Sequence, residues 1–283
     1  MPVSINNSFN ALGNRNIGIS TNRLGENLAK LSSGRKINKA SDNAAALAIA
    51  EQLSADIRSA EQAQRNLSDG AAVTRVAEGG LSQISDLLAR GRELSIQAAN
   101  GTLSDEQRAT LNREITAIKE EIDRTANVTE FNGQKLLNGE LAPGAPTELS
   151  VQAGIQNTPS DRISLNVIED SGAAALGIDG VDISTQQGAR DALSAFDSAI
   201  QKVSQNRANI GSLQNRFDTA ASNLAVSREN LTAAESTIRD LDYAKEASSF
   251  QRNQVLTQAA VSVLRQGQQS QAGIVGSLLN IRA

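Results

Sequence analysis

The sequence predicts a mainly α-helical protein: an elongated, coiled-coil-like helical bundle with paired terminal helices and a small antiparallel β-hairpin region. The four prolines lie at positions 2, 143, 146 and 159, so residues 3–142 and 160–283 lack the strongest helix breaker. Apolar residues recur at steps of three and four through both stretches. Aromatic residues make up only 2% of the chain, which favours aliphatic helix seams over a compact core anchored by rings.

The first helix is an amphipathic segment that ends at a Gly-Arg-Lys turn. Gly34 in "LSSGRKINKASDNAAALAIA" is the expected stop, and Ser41 or Asp42 is expected to cap the following helix. The alanines of "NAAALAIA" allow a neighbouring helix to approach closely. The apolar stripe of the first helix includes these residues: Ile5, Phe9, Leu12, Ile17, Thr21, Leu24, Leu28 and Leu31.

Two further helices complete the N-terminal half. From Leu53 onward, apolar residues recur at steps of three and four, which predicts a long helix with a local irregularity near "VAEGG". This helix is expected to stop at Asn100-Gly101. Ser104 and Gln107 have the spacing of a capping box, which starts a third, shorter helix.

In the middle of the chain, the helical pattern gives way to turn and strand signals. Asn132-Gly133 and Asn138-Gly139 are dipeptides suited to tight turns. The segments "ELSVQAG" and "RISLNVI" alternate apolar and polar residues around "NTPSD", which predicts a small antiparallel hairpin within a region at about residues 128–183. Ser184 and Gln187 form a second candidate capping box, from which the helix restarts.

The C-terminal half predicts a long helix with a coiled-coil seam. Some of its grid positions are Arg, Gln or Glu, which is more typical of contacts that set register than of maximal stability. The predicted grid consists of Leu193, Phe196, Ile200, Val203, Arg207, Ile210, Gln214, Phe217, Ala221, Leu224, Arg228, Leu231, Glu235 and Ile238.

A second terminal amphipathic segment closes the chain. Its stripe includes Ala260, Leu264, Gly267, Gln271, Ile274, Leu278 and Ile281. Neither terminal stripe can be buried by its own helix, so each needs the other and further molecules. Beyond Glu246 the charged residues are Arg252, Arg265 and Arg282, while Gln and Ser fill the polar positions. Such a face suits a surface crowded by identical copies, where repeated like charges would repel, and it predicts self-assembly.

Composition excludes several classes of function. The chain contains neither Cys nor His, so the usual ligands for zinc and iron–sulfur clusters and the usual nucleophile–His systems are missing. We therefore expect a protein that is not an enzyme and holds no cofactor or metal. The acidic group Glu120, Glu121 and Asp123 is interpreted as a solvated helix face. The net charge of −4 argues against nucleic-acid binding. No apolar run is long enough to cross a membrane, and the N-terminus lacks a secretory leader pattern.

Several motifs together resemble bacterial flagellin, the subunit of the flagellar filament. They are "LSSGRKINKASDNAAALAIA", "RELSIQAANGTLS", "EIDRTANVTEFNGQKLLNG", "LQNRFDTAASNL" and "DYAKEASSFQRNQVLTQAAVSVLRQGQQ". The resemblance implies an inner-tube domain formed by residues 1–43 paired with 240–283, and an outer helical bundle with the hairpin region at 44–239. It implies a short form without large outer domains. Asn43 and Ala46 depart from the Asp and Gly that are common in the family.

The resemblance also implies partners and a location. The expected role is self-assembly into a motility filament outside the cell, after export of the unfolded chain through the flagellar type III channel. The expected partners are many copies of the same chain, an export chaperone, and the cap and hook-filament junction proteins. A junction protein that forms a thin adaptor ring is the alternative role, but the agreement of the central helices favours the filament. The subunit-packing residues would be Ile5, Phe9, Leu12, Leu24, Leu28, Leu31, Leu264, Ile274, Leu278 and Ile281.

Two further kinds of site follow from the same resemblance. Arg90, Leu94 and Glu114 match residues by which many flagellins contact the flagellin-sensing Toll-like receptor of animals. The alternative interpretation is that the two charges are solvated or link helices and that Leu94 belongs to a subunit contact. O-linked sugars are a second expectation by family analogy, for instance at Thr147, Ser150 or Thr158, and the sequence does not select among these positions.

Overall fold

The computed structural model describes residues 3–146 and 148–280, with side chains for residues 11–146 and 148–270. Within this part of the chain, helices account for most residues, as predicted. The helices are α1 (Val3–Ser33), α2 (Ala44–Ala98), α3 (Asp105–Val128), α4 (Ala173–Leu176), α5 (Gln186–Arg239) and α6 (Tyr243–Asn280). The strands are β1 (Glu130–Phe131), β2 (Gln134–Lys135), β3 (Ser150–Gln152) and β4 (Arg162–Ser164).

The chain divides into two compact units. The terminal unit comprises the residues up to Ala55 and those from Asn230 onward, and the central unit comprises Asp56–Glu229. The assignment of residues 1–43 with 240–283 to an inner tube, and of 44–239 to an outer layer, concerns the assembled polymer and stays a prediction.

The central unit is built around one apolar core. Helices α2, α3 and α5 supply most of it, and the loops after the first hairpin add Leu136, Leu137 and Leu141. The core is mainly aliphatic, as expected. Two rings contribute as well, because Phe196 and Phe217 are among the largest fully buried side chains. Glycines on α2 leave space for these rings to pack against the helix backbone. A Cβ at Gly91 would lie 2.5 Å from Phe196 Cε1.

Between residues 192 and 214, the buried face of α5 is offset by one residue at four positions of the predicted grid. Residues 192, 199, 206 and 213 are buried, whereas the predicted positions 193, 200, 207 and 214 are half-buried or exposed. Ala192 and Ala199 are small, so they let the helix backbones approach where a larger residue at the predicted positions would hold them apart. The predicted positions Phe196, Val203, Ile210 and Phe217 are buried.

Both hairpins of the middle region are antiparallel. Strands β1 and β2 pair across Asn132-Gly133, whose φ angles of 52° and 80° are the positive values that this two-residue turn requires. Strands β3 and β4 pair with Val151 opposite Ile163, which confirms the hairpin predicted from the alternating segments. Helix α2 runs without a break through the glycines at which an irregularity was expected.

Helix ends in the central unit are held by side chains. Ser104 and Gln107 form the predicted capping box of α3. The second predicted box is wrong: Thr185 Oγ1, not Ser184, accepts the hydrogen bond from Gly188 N at 3.0 Å and caps α5. Arg108 is 95% buried, and its guanidinium donates to the carbonyl oxygens of Ala98 and Asn100 at 2.9 Å. This charged group satisfies carbonyls that the end of α2 leaves unpaired.

The tight approach at Gly91 leads to a stability prediction. Gly91→Ala places a methyl group against Phe196, so we expect the free energy of unfolding to fall by about 1–3 kcal/mol. Gly79→Ala is the matched control on the same helix, because its Cβ would meet nothing within 4 Å, and it should raise the free energy of unfolding by about 0.5–1 kcal/mol. Urea unfolding followed by far-UV circular dichroism measures both, and equal effects of the two variants would contradict the packing described here.

Candidate interaction surface

The terminal unit is organised around the pairing of α1 and α6. The helices are antiparallel, because Gly13 of α1 lies against Leu264 of α6 while Asn27 bonds to Glu246 and Asn253. The positions turned inward follow alternating steps of four and three, which is the spacing of a two-helix seam. They are Gly13, Ile17, Ser20, Leu24, Asn27 and Leu31 on α1, and Phe250, Asn253, Thr257, Ala260, Leu264 and Gly267 on α6.

The seam between α1 and α6 buries few of the described side chains. Of the described side chains in the terminal unit, only Asn27, Ile37 and Ala50 are buried, and the other seam residues remain partly exposed. One cause lies in the sequence of α1, where Gly13, Ser20 and Asn27 occupy alternate seam positions and supply small or polar side chains. A pair of this kind gains little apolar burial.

The structure divides the predicted subunit-packing residues into three groups. Leu24, Leu31 and Leu264 lie half-buried in the seam between α1 and α6. Leu12 and Leu28 are 55% and 58% exposed, so they lie outside that seam. Ile5, Phe9, Ile274, Leu278 and Ile281 lie outside the residues whose side chains the structure describes.

Further apolar side chains are exposed on the same two helices. They are Ile19 on α1, and Val255, Leu256 and Val263 on α6. Sequence reasoning missed them because it followed a single stripe on each helix. The signal was present in the adjacent pair Val255-Leu256, since consecutive residues lie about 100° apart around a helix and at most one of them points to the centre of a seam. These residues, with Leu12 and Leu28, are called the exposed apolar set below.

A short antiparallel bridge joins the two connections of the terminal unit. Arg35 pairs with Asp240, Lys36 N donates to Arg239 O at 2.7 Å, and Leu241 N donates to Gly34 O at 3.1 Å. Gly34 ends α1 as predicted, with a φ of 69° that favours glycine. The bridge therefore holds the end of α1 beside the start of α6.

The cap of α2 differs from the expectation of Ser41 or Asp42. Asn43 Oδ1 accepts the hydrogen bond from Ala46 N at 3.0 Å, so Asn43 is the cap. The Asp42 carboxylate instead accepts from Asn38 N at 3.0 Å and Lys39 N at 3.2 Å. These bonds, first the one from Asn38, lower the pKa of Asp42 below its usual range.

The three residues of the predicted receptor surface are close together but differ in exposure. Arg90 on α2 bonds to Glu114 on α3 at 2.7 Å and to Glu93 at 3.3 Å. The side-chain hydrogen bond with Glu114 is the first cause that raises the pKa of Arg90. Leu94 is only 1% exposed and belongs to the core. The solvent-facing part of this group is therefore the ion pair.

Comparison with known proteins decides the family. Residues 3–142 match the bacterial flagellin N-terminal helical region, and residues 193–278 match the bacterial flagellin C-terminal helical region. The chain is 40% identical to a flagellin of Bacillus subtilis, an alignment that covers 96% of this chain and 99% of the relative. It is 37% identical to the flagellar filament 30.7 kDa core protein of Treponema maltophilum, over 93% and 95% of the two chains. The chain belongs to the bacterial flagellin family.

A solved structure supports the fold of this flagellin. A putative flagellar hook-associated protein from Vibrio parahaemolyticus superposes with a TM-score of 0.57 over 70% of this chain and all of that chain. The identity is 17%, so this likeness concerns the fold alone.

The acidic group of α3 and the glycosylation candidates are the remaining sites considered from the sequence of this flagellin. Glu121 pairs with Arg124, and Asp123 Oδ1 accepts from Ala173 N at 2.7 Å, so two of the three acidic residues serve local structure. No cluster of three or more potential metal-ligating side chains occurs in the described chain. Of the glycosylation candidates, Ser150 is exposed in β3, Thr158 bonds to Asp161, and Thr147 lies outside the described residues. None of the described helices is sufficiently long and apolar to span a membrane.

Proposed function

We propose that this flagellin is a structural subunit that self-assembles through its terminal helices into the flagellar filament, outside the cell, for swimming motility. The observation that carries the proposal is the exposed apolar set on α1 and α6, in a unit whose described side chains form almost no buried core. Burial of such side chains between copies supplies the free energy that the isolated pair lacks. The relatives named as flagellins and filament core proteins support this role over that of a junction ring.

The assembly proposal is tested by removing two members of the exposed apolar set. Val255 and Leu256 are 63% and 51% exposed, and Val255→Gln with Leu256→Gln places a good helix former at both positions. We expect the critical concentration for filament formation to rise at least about tenfold, because apolar area is no longer buried on assembly. Sedimentation and electron microscopy of purified protein measure the effect.

A neighbouring exposed position supplies the control for this experiment. Gln254→Ala removes a polar side chain beside Val255 and should leave the critical concentration nearly unchanged. Long tubes from the parent chain favour the filament role, and rings or no polymer would favour the junction role. An unchanged critical concentration for the double variant would contradict assembly through this surface.

The same weak burial supports folding of the termini on assembly. We propose that the chain is exported unfolded through the flagellar type III channel and that α1 and α6 become stable only when neighbouring copies cover them. The absence of Cys agrees with this route, because no disulfide has to be opened or formed. Before and during assembly, the exposed apolar set is a surface for the export chaperone, the cap and the hook-filament junction proteins.

Limited trypsin digestion tests the coupling of folding to assembly. In the monomer we expect rapid cleavage at Arg15, Arg23, Arg252 and Arg265 of the terminal helices, because local opening there costs little free energy. Exposed Arg75 on α2 belongs to the central unit and is the internal control, which should resist cleavage in both states. In the filament, the terminal sites should be cleaved at least about tenfold more slowly. Equal cleavage rates at the terminal sites in monomer and filament would refute the coupling.

We also propose that the ion pair of Arg90 and Glu114 is recognised by the flagellin-sensing Toll-like receptor of a host. Both side chains are about half exposed, and together they present one cation and one anion from two adjacent helices. Leu94, being buried, supports the helix surface beneath this pair instead of offering its own side chain.

Paired alanine substitutions test receptor recognition. Arg90→Ala with Glu114→Ala should reduce receptor signalling at least about tenfold, since loss of hydrogen-bonded charges that become buried at an interface leaves their partners unpaired. Thermal unfolding should barely change, because the pair is exposed. Glu121→Ala with Arg124→Ala removes another exposed ion pair of α3 and should leave signalling intact. Equal signalling by the parent and the first variant would rule out this role.

A further inference from the structure

We propose that the α1–α6 pair contacts a second copy of the chain through two unlike faces, so that one face of each copy docks on the opposite face of the next copy. This arrangement rests on the proposed assembly through the terminal helices and deepens it, because it names the surfaces that meet. A face that docks on the same face of another copy is consumed in a closed dimer. A contact between unlike faces leaves one face of each copy free for a further copy, as an open polymer requires.

One side of the α1–α6 pair exposes four apolar side chains. Successive residues lie about 100° apart around a helix. On α1, Leu12 and Ile19 are therefore both about 100° from the centre of the seam. On α6, Leu256 and Val263 are about 80° from it. All four belong to the exposed apolar set, so each helix carries two members of that set on one flank of the seam.

A groove shows that these two flanks belong to the same face of the pair. Arg23 and Lys30 of α1 and Arg252 of α6 are among the residues that line it. Arg23 follows Ile19 by four residues, and Arg252 precedes Leu256 by four, so the groove and the apolar residues share a flank on each helix. The apolar-basic face is defined by Leu12, Ile19, Arg23, Lys30, Arg252, Leu256 and Val263.

The antiparallel pairing brings the four apolar side chains together along this face. Gly13 lies against Leu264, so Val263 is at the level of residue 14 and Leu256 is at the level of residue 21. The residues of α6 therefore alternate with Leu12 and Ile19 along the pair. Together they span about nine residues of α1, or about 14 Å. This forms one continuous apolar patch, with the basic groove on the side of the patch nearer the end of α1.

The basic groove carries an excess of positive charge. Of the ion pairs in the described part of the chain, none involves a cation of the apolar-basic face. Two carboxylates, those of Glu26 and Glu246, line the groove beside the three cations, and Glu246 already accepts a hydrogen bond from Asn27. Two copies of this face placed against each other would bring like charges together, which opposes association.

The opposite side of the pair is mostly polar and uncharged. Its residues lie on the other flank of the seam on each helix, and all of them are exposed. The amide face is defined by Asn14, Thr21, Leu28, Gln254, Gln258 and Arg265.

The amide face is suited to receive the apolar-basic face of a neighbouring copy. Amide and hydroxyl oxygens accept hydrogen bonds from guanidinium and ammonium groups, so Asn, Gln and Thr can satisfy the cations of the neighbour. Leu28 and the aliphatic parts of the Gln side chains offer contact to the apolar patch. Its one cation, Arg265, lies at the level of residue 12 and therefore away from the basic groove.

Single cysteines test which faces meet, because the chain contains no cysteine and every cross-link then joins two copies. A chain with Ile19→Cys on the apolar-basic face is co-assembled into filaments with a chain that carries a cysteine on the amide face. That second cysteine is Asn14→Cys, Thr21→Cys, Gln254→Cys or Gln258→Cys in turn, which samples the length of the face. Isotope labelling of one chain distinguishes the products after reaction with a flexible bismaleimide, and mass spectrometry counts them.

Cross-links between unlike faces should exceed those between two Ile19→Cys chains at least about fivefold for at least one of the four positions. Asn22→Cys is the matched control, because it is exposed next to Thr21 but points away from the seam. It should cross-link to Ile19→Cys at least about fivefold less than the best amide-face position. A majority of like-face products, or no preference over Asn22→Cys at any position, would overturn the proposal.

Variants with one blocked face supply a second test that does not require them to form filaments. Ile19→Glu with Leu256→Glu blocks the apolar-basic face, and Gln254→Lys with Gln258→Lys blocks the amide face by placing cations opposite the groove. Each keeps one face, so it can bind a filament end without accepting the next copy. At one-tenth of the parent concentration, at least one of the two should slow elongation about twofold or more. The chain with all four substitutions should have no effect.

The outcomes separate this inference from the proposed function. If neither single-face variant slows elongation, or if the fourfold variant slows it equally, the contact between unlike faces is refuted. Circular dichroism of each variant checks that the helices are retained, since all four positions are exposed. Electron microscopy of the parent chain tests the proposed function: absence of filaments contradicts assembly itself, whereas filaments with like-face cross-links contradict only the arrangement of faces.

Discussion

The structure depends on how little apolar surface the α1–α6 pair can bury. Helices of 31 and 38 residues meet along a seam in which α1 alternates aliphatic residues with Gly13, Ser20 and Asn27. Ordering so many residues costs conformational entropy that this seam offsets only in part. Described apolar side chains on both helices, such as Leu28 and Val255, face solvent instead of adding to this burial. A terminal unit of this composition is therefore suited to completion by other copies of the chain.

The central unit, in contrast, buries its apolar side chains within a single chain. Its three long helices and its loops enclose one apolar core that includes Phe196 and Phe217. Close approach at the α2 glycines and at the small residues of α5 permits this packing. Polar groups that must be buried are satisfied locally, as when Arg108 bonds to the carbonyls at the end of α2. The central unit thus has the buried apolar core that the described side chains of the terminal unit lack.

Buried polar side chains have different effects in the two units. Asn206 of α5 is buried and bonds to Glu169 O and Ser171 Oγ, so it attaches an irregular loop to the helix. Asn27 joins two regular helices whose other contacts repeat. The amide of Asn206 therefore links a helix to a loop, whereas the amide of Asn27 links two helices through Glu246 and Asn253.

The sequence by itself determined the helices, the turns and the family. Those features depend on local chemistry: proline positions, Asn-Gly turns, the Ser104 capping box and apolar periodicity act within a few residues of each other. Tertiary structure decided which face of each helix is buried. The α5 core positions are offset by one residue at four positions of the predicted grid. Leu12 and Leu28 lie outside the α1–α6 seam, and Asn27 lies within it. One helix can present several stripes of similar apolarity, so the choice among them depends on the shape of the partner, which a periodic pattern does not contain.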